Sequence, residues 1–383
     1  MREPARPGSV SEDERRRAVR ILLERSAEPD GFVPFDRFME VALYGSDVGF
    51  YTRPEPPFGR EGDYYTAAHV TPLFGRAIAQ RLRSAFAKLP VRAPLRVVEV
   101  GPGDGTLGVA VLTGLAHYPE LRRRLEYVLV ERSPGLARRA IEQVSSAGQS
   151  SGIPARVASG VGSDGPFYGA VLANEVLDAQ PVRRLLWDGG RWRETGVKLV
   201  KDGFVRATGP CDRPVPAPDL PGNLPDGTIV EVSPGAEALL REVADHLVGG
   251  LFLVLDYGME EGELIAAHPT GTLAAVRRHR FVDDPFEHPG AADLSAFVNF
   301  TRVRAAAAAA GLTELAFRRQ AEALAEWGFA GLLEEATRSA PSAEAEVRIR
   351  LAAKNLLFGF ERFSALEWAP AEEIPKAVPG PVR

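Results

Sequence analysis

Two carboxylates close the apolar run in AVLANEVLDAQPV, residues 170–182. Glu175 and Asp178 stand three apart, a spacing that puts two side chains on one face of a helix. Acids in the first turn of a helix need no further meaning, because the macrodipole favours them there. A pair of carboxylates beside a core has a second use: together they can grip a cation, and either can take a proton. Charge near a core is costly without a partner. The rest of the chain has to say whether such a partner is expected.

A second constellation lies upstream. VVEVGPGDGT places Gly101, Gly103 and Gly105 directly after an apolar, β-branched run. Glycines there let the backbone turn sharply and come close to a ligand. The spacing is G-x-G-x-G, whereas a dinucleotide fingerprint wants G-x-G-x-x-G, and its last position here is Thr106. That weakens a nicotinamide cofactor and favours S-adenosylmethionine, whose amino-acid end has no pyrophosphate to cradle. Glu131 ends the next apolar run, where a carboxylate can accept hydrogen bonds from both ribose hydroxyls. Glu99, just before the glycines, is a second acid beside the same expected pocket.

These residues need elements that bring them to one edge. LRVVEVGPGDGTLGVAVLTGL reads as strand, glycine turn and helix. LEYVLVERSPGLARRAIEQV repeats that order, GAVLANEVLDAQPV opens a third such unit, and GGLFLVLDYG is another buried strand. Near-continuous apolar strands alternating with helices predict a mostly parallel sheet covered on both faces. The expected fold is therefore α/β with a Rossmann-like methyltransferase core, and ligand binds at the carboxyl ends of the strands. Asp256 and Tyr257 end one of those strands and are candidates for the pocket. Asp293 and Asn299 read equally as pocket groups or as caps.

Around this core, residues 1–90 read as a helical N-terminal segment plus a cofactor-covering loop, with one helix opened by a Ser11/Glu14 capping box, a second in 33–45 and a third over about 72–88. The core spans 91–260, with a hairpin-rich insertion at about 183–228 marked by Asp188-Gly189 and Asp202-Gly203. Residues 261–383 read as additions that complete the substrate pocket: a loop to about 292, then an alanine-rich helix.

Composition excludes several classes. The chain has 383 residues and a net charge of −5, so no broad nucleic-acid or anionic-membrane footprint is expected. No apolar run approaches the roughly 20 residues of a membrane span. Cys211 is the single cysteine, so no internal disulfide forms, which suits a cytoplasmic location. The six histidines lack metal-ligand spacing, and no metal is expected.

The motifs also carry a resemblance. FMEVALYGSDVGFYT, GREGDYYTAAHVTPLFG, VVEVGPGDGTL, LVERSP, ANEVLDAQPV and LVLDYG together resemble the MidA-like family of S-adenosylmethionine-dependent methyltransferases. That family includes a mitochondrial assembly factor that methylates an arginine of a respiratory complex I subunit. The resemblance implies S-adenosylmethionine as cofactor and an arginine guanidino group as acceptor, in a protein or a small molecule. It leaves room for a homodimer. It implies Tyr64, Tyr65 and Thr66 as cover for the cofactor and Asn174 beside its methionine end. Departures fall at Ala67, Ala68 and His69, where the family usually has Ser-Pro-Glu. Others are Phe297 and Asn299, for the usual His and Asp, and Met259, for the histidine expected after DYG.

Chemistry gives the acids a role in that reaction. A guanidinium is a poor nucleophile, because its charge is delocalised and its pKa exceeds about 12. A carboxylate pair fixes its plane and draws charge to the nitrogens it touches. Glu175 and Asp178 are the expected catalytic pair. Two alternatives stay open: O-methylation of a small molecule, and a non-catalytic protein that binds the cofactor and assists assembly.

Overall fold

The computed structural model describes residues 12–53, 66–90, 92–201, 203–215, 218–278 and 280–371. Tyr64 and Tyr65, expected over the cofactor, lie outside the described residues. The chain divides into two compact units, with boundaries after residues 64, 177, 236, 258 and 302.

One unit, from residues 65–177, 237–258 and 303–383, holds a long sheet. Its strands, numbered along the chain, are β1 (Leu95–Val100), β2 (Leu125–Val130), β3 (Ala155–Ala158), β4 (Phe167–Asn174), β5 (Leu247–Met259), β6 (Leu312–Arg319) and β7 (Phe363–Pro370). They lie in the order β6-β7-β5-β4-β1-β2-β3. β3, β2, β1, β4 and β5 run parallel, and β7 is antiparallel to both β5 and β6. The parallel strands are apolar at consecutive positions because both faces are covered: neighbours Val97 and Val98 are each fully buried. Helices Leu73–Phe86, Thr106–Leu115 and Pro134–Ser151 contribute Phe74, Ile78, Leu112 and Val144 to the core beside the sheet. The chain leaves β1 towards β2, whereas β4 lies on the other side of β1. The reversal makes the carboxyl ends of β1 and β4 the topological switch point, the place where open α/β sheets bind ligands.

The other unit draws on residues 1–64, 178–236 and 259–302. Its largest sheet pairs Phe32–Pro34 with Arg191–Val200, which in turn pairs with Arg183–Asp188 and Gly203–Pro210. The expected hairpin forms at Gly189 and Gly190, whose φ of 56° and 79° suit a two-residue turn that closes Asp188 onto Arg191.

The structure departs from the sequence reading in three places. No helix follows β4; residues 175–180 form an irregular turn. The stretch expected as a loop to residue 292 contains a helix, Glu261–Ala267, and the strands Ala274–Arg277 and Arg280–Phe281. The two units also cut across the three consecutive spans expected. Non-local pairing decides this: β6 and β7 come from the final third of the chain yet extend the core sheet, while Phe32–Pro34 pairs with the insertion.

Candidate cofactor and acceptor sites

The glycine turn follows β1 directly. Gly101, Gly103 and Gly105 have φ of 62°, 58° and 90°, a region that costs other residues about 1–2 kcal/mol. A side chain at Gly101 would also lie 2.9 Å from Val176 Cγ2. The turn stays close to the neighbouring strands: Gly101 N donates to Val130 O at 2.9 Å.

Glu131 stands where the next strand ends, as expected. Its Oε1 accepts from Ser133 N at 2.8 Å. Burial pushes its carboxyl up to about 7, although backbone N–H groups of Ser133, Arg132 and Gly103 work the other way. Glu99 behaves differently. Strand alternation puts it beneath the helix Thr106–Leu115, 2% exposed, with its Oε2 2.9 Å from the Tyr127 hydroxyl that donates to it. Burial pushes this carboxyl also to about 7. Its contacts tie β1 to β2 behind the glycine turn, a supporting position rather than the ligand contact expected of it.

The turn after β4 is held from one side by Asp256. Asp256 Oδ2 accepts from Val176 N at 3.1 Å and Leu177 N at 2.8 Å, and its Oδ1 accepts from Tyr257 N at 2.9 Å. The residue is fully buried. Expected as a pocket acid, it is instead a clamp, because backbone amides take both of its oxygens. Tyr257 sits beside it, its ring 5.3 Å from that of Phe363.

The clamp sets the backbone of Glu175, which adopts a φ of 54° with its N–H donated to Leu255 O at 2.8 Å. This left-handed conformation, uncommon outside glycine, ends the helix reading of the stretch. Glu175 Oε1 accepts from Ala67 N at 2.9 Å and, at 3.4 Å, from Asn174 Nδ2. Asn174 Oδ1 is buried and has no hydrogen-bond partner among the described residues. A buried amide oxygen without a donor is costly, and a cofactor ammonium or hydroxyl would satisfy it.

Thr66 caps the short helix Ala67–Val70. His69 completes that cap, its Nδ1 2.8 Å from Thr66 Oγ1, and its Nε2 lies 3.0 Å from Asp104 Oδ2. Asp104 Oδ1 accepts from Thr106 N at 3.0 Å. Burial raises the Asp104 carboxyl, but the hydrogen bonds from His69 and Thr106 outweigh it and hold the group below its ordinary value.

Asp178 belongs to the other unit, where it is 2% exposed and its backbone oxygen accepts from Ala296 N at 3.0 Å. There Tyr51 donates its hydroxyl to Asp293, also buried, at 3.0 Å. Burial, Asp293, Tyr44 and Asp178 push the Tyr51 hydroxyl well above its ordinary value. Tyr44 stacks on Tyr51 with ring centres 5.4 Å apart and donates to Ala179 O at 3.1 Å. Asp178 and Asp293 thus flank one tyrosine. Sequence reading missed both tyrosines; their signal was the aromatic-rich stretch LYGSDVGFYT.

Asn299 resolves as a cap. Its Oδ1 accepts from Arg302 N at 3.2 Å and its Nδ2 donates to Glu261 Oε2 at 2.8 Å, while Arg302 pairs with the same carboxylate. Both ends of its amide are engaged in capping, a structural role. Among the described residues, no group of three or more His, Cys, Asp or Glu side chains could hold a metal, and no helix is long and apolar enough to cross a membrane.

Several known proteins are similar to this chain. Residues 74–318 match the family described as "putative S-adenosyl-L-methionine-dependent methyltransferase". The chain is 30% identical over 298 residues to the mitochondrial protein arginine methyltransferase NDUFAF7 homolog of Drosophila melanogaster, covering 72% of this chain and 66% of that one. It is 28% identical over 300 residues to the Bos taurus protein arginine methyltransferase NDUFAF7, covering 72% and 65%. These matches span about two thirds of the relatives' length. A COG1565 superfamily member from Burkholderia thailandensis, solved bound to S-adenosyl-homocysteine, superposes with a TM-score of 0.82 at 29% identity, covering 96% of this chain and 95% of that one. The sheet order, the glycine turn with Glu131 and a family match over more than half of its length together place the chain in the S-adenosyl-L-methionine-dependent methyltransferase family.

Proposed function

We propose that this protein binds S-adenosylmethionine at the glycine turn and methylates a nitrogen of an arginine guanidino group. The residues fit the cofactor. Gly101 and Gly103 would give its amino-acid end close backbone approach, Asn174 Oδ1 would accept from its ammonium, and Glu131 would accept from its ribose hydroxyls. When bound, it supplies an electrophilic methyl group and leaves as S-adenosylhomocysteine.

The observation that carries the acceptor class is the Glu175 carboxylate, fixed beside Asn174 at the carboxyl end of β4. A carboxylate there suits a planar cation that donates several hydrogen bonds. A neutral hydroxyl or carboxyl acceptor would gain less from it, which disfavours O-methylation. In this reading Glu175 orients the guanidinium and takes the proton that the attacking nitrogen loses as its bond to the methyl carbon forms. The names of the relatives support arginine, and a protein-borne one first. Those names also place the relatives in mitochondria, so they lend the cytoplasmic expectation no support.

The test is a kinetic split. Glu175→Gln should lower transfer to an arginine peptide at least about a hundredfold and leave S-adenosylhomocysteine affinity within about threefold. Equal losses in both would remove Glu175, and the acidic-acceptor argument, from the account.

A further inference from the structure

The glycine turn after β1 and the acid turn after β4 are joined through a four-residue helix. Asp104, inside the glycine turn, meets the His69 ring at 3.0 Å. The same ring accepts from Thr66 N at 3.3 Å, which fixes Nδ1 as the acceptor and leaves the ring proton on Nε2 for Asp104. The first amide of the helix, Ala67 N, donates to Glu175 Oε1 at 2.9 Å. The path therefore runs from Asp104 through His69, Thr66 and Ala67 to Glu175, all within one unit.

We propose that His69 is a positioning residue that couples the cofactor turn to Glu175. Closing the glycine turn on the cofactor sets Asp104, and His69 passes that setting to the helix that orients the Glu175 carboxylate. The inference rests on reading the glycine turn as the cofactor site. By linkage, a coupling of this kind must show from the cofactor side as well.

Two substitutions separate the two faces of the ring. His69→Asn keeps an acceptor near Nδ1, so the helix cap survives, but it cannot reach Asp104. His69→Gln places an amide nitrogen near Nε2 and keeps the donor to Asp104. S-adenosylhomocysteine affinity is measured by calorimetry on the full chain, alongside transfer rates and melting temperature. His69→Asn should weaken affinity about tenfold and lower kcat about tenfold, the scale of one charge-assisted hydrogen bond. Acceptor KM should stay within twofold and the melting temperature within about two degrees. His69→Gln gives up the acceptor for Thr66, so it should recover affinity to within about threefold while kcat stays about tenfold down. Unchanged affinity and kcat in His69→Asn, or a His69→Gln variant as weak in affinity as His69→Asn, would overturn the role of His69 alone. A wild-type chain that does not bind S-adenosylhomocysteine would remove the cofactor reading and this inference with it.

Discussion

The Asp256 carboxylate holds Glu175 in a left-handed backbone conformation by taking the amides of Val176 and Leu177, at 3.1 and 2.8 Å. A strained residue kept by a buried clamp is a common mark of functional sites. It also separates the jobs of two acids that look alike in sequence: Asp256 is saturated by backbone donors, and Glu175 is the one being placed.

Asp256→Asn should therefore destabilise the protein. The amide's nitrogen turns a donor towards at least one of the three backbone N–H groups that the carboxylate now accepts. A loss of about 2–4 kcal/mol is expected from breaking charge-assisted bonds in a buried site. Urea unfolding measures it, and a change under about 0.5 kcal/mol would show that the clamp contributes little.

Glu175→Gln keeps the shape and one acceptor oxygen for Ala67 N but removes the base. Transfer should fall by at least about a hundredfold, within the usual range for a general base. S-adenosylhomocysteine affinity should fall by less than about threefold. Equal losses in both would assign Glu175 a purely structural role.

Glu131 gives cofactor binding a pH dependence. Its carboxyl sits at about 7 in the free protein, and ribose hydroxyls donate to the charged form. Binding then requires that a proton be released. Affinity should be flat above about pH 7.5 and weaken by up to tenfold per unit below about pH 6.5. Glu131→Gln should abolish the slope, and a wild-type affinity independent of pH from 5.5 to 8 would contradict this role.

Glu99 and Tyr127 predict a stability slope of opposite direction. The folded protein holds the Glu99 proton up to about pH 7, whereas the unfolded chain releases it near the ordinary glutamate value of 4.5. The contribution is full below about pH 4.5, declines as pH rises through 7, and is constant above. The rise from 4.5 to about 7 sets it on the order of 3 kcal/mol. Glu99→Gln, which stays neutral, should flatten that part of a melting-temperature profile between pH 5 and 7.5. An unaltered profile would show that Glu99 does not carry the slope.

What sequence made legible follows the distance over which each feature is decided. The run β1, glycine turn, helix, β2 and Glu131 is local, and its residues state their conformation directly. The DGG hairpin is legible for the same reason. Glu175 and Asp178 drew attention correctly as acids at a strand end, but their helix does not form. Asp256, some eighty residues away, imposes the turn, and no local pattern reports that clamp. Asn299 as a helix cap was within reach, since asparagine followed by a helical run is an N-cap signal. The convergence of Tyr51, Asp293 and Asp178 joins three distant segments, and the alternation of any one strand is silent about it.

The central claim is methyl transfer to a guanidino nitrogen. Its most direct test is mass spectrometry after incubating the purified protein with labelled S-adenosylmethionine and a panel of protein extract, arginine peptides, free arginine and small hydroxyl and carboxyl acceptors. The account predicts label on arginine nitrogen, lost in Glu175→Gln. Label on oxygen, or S-adenosylhomocysteine binding with no transfer to any arginine, would contradict it.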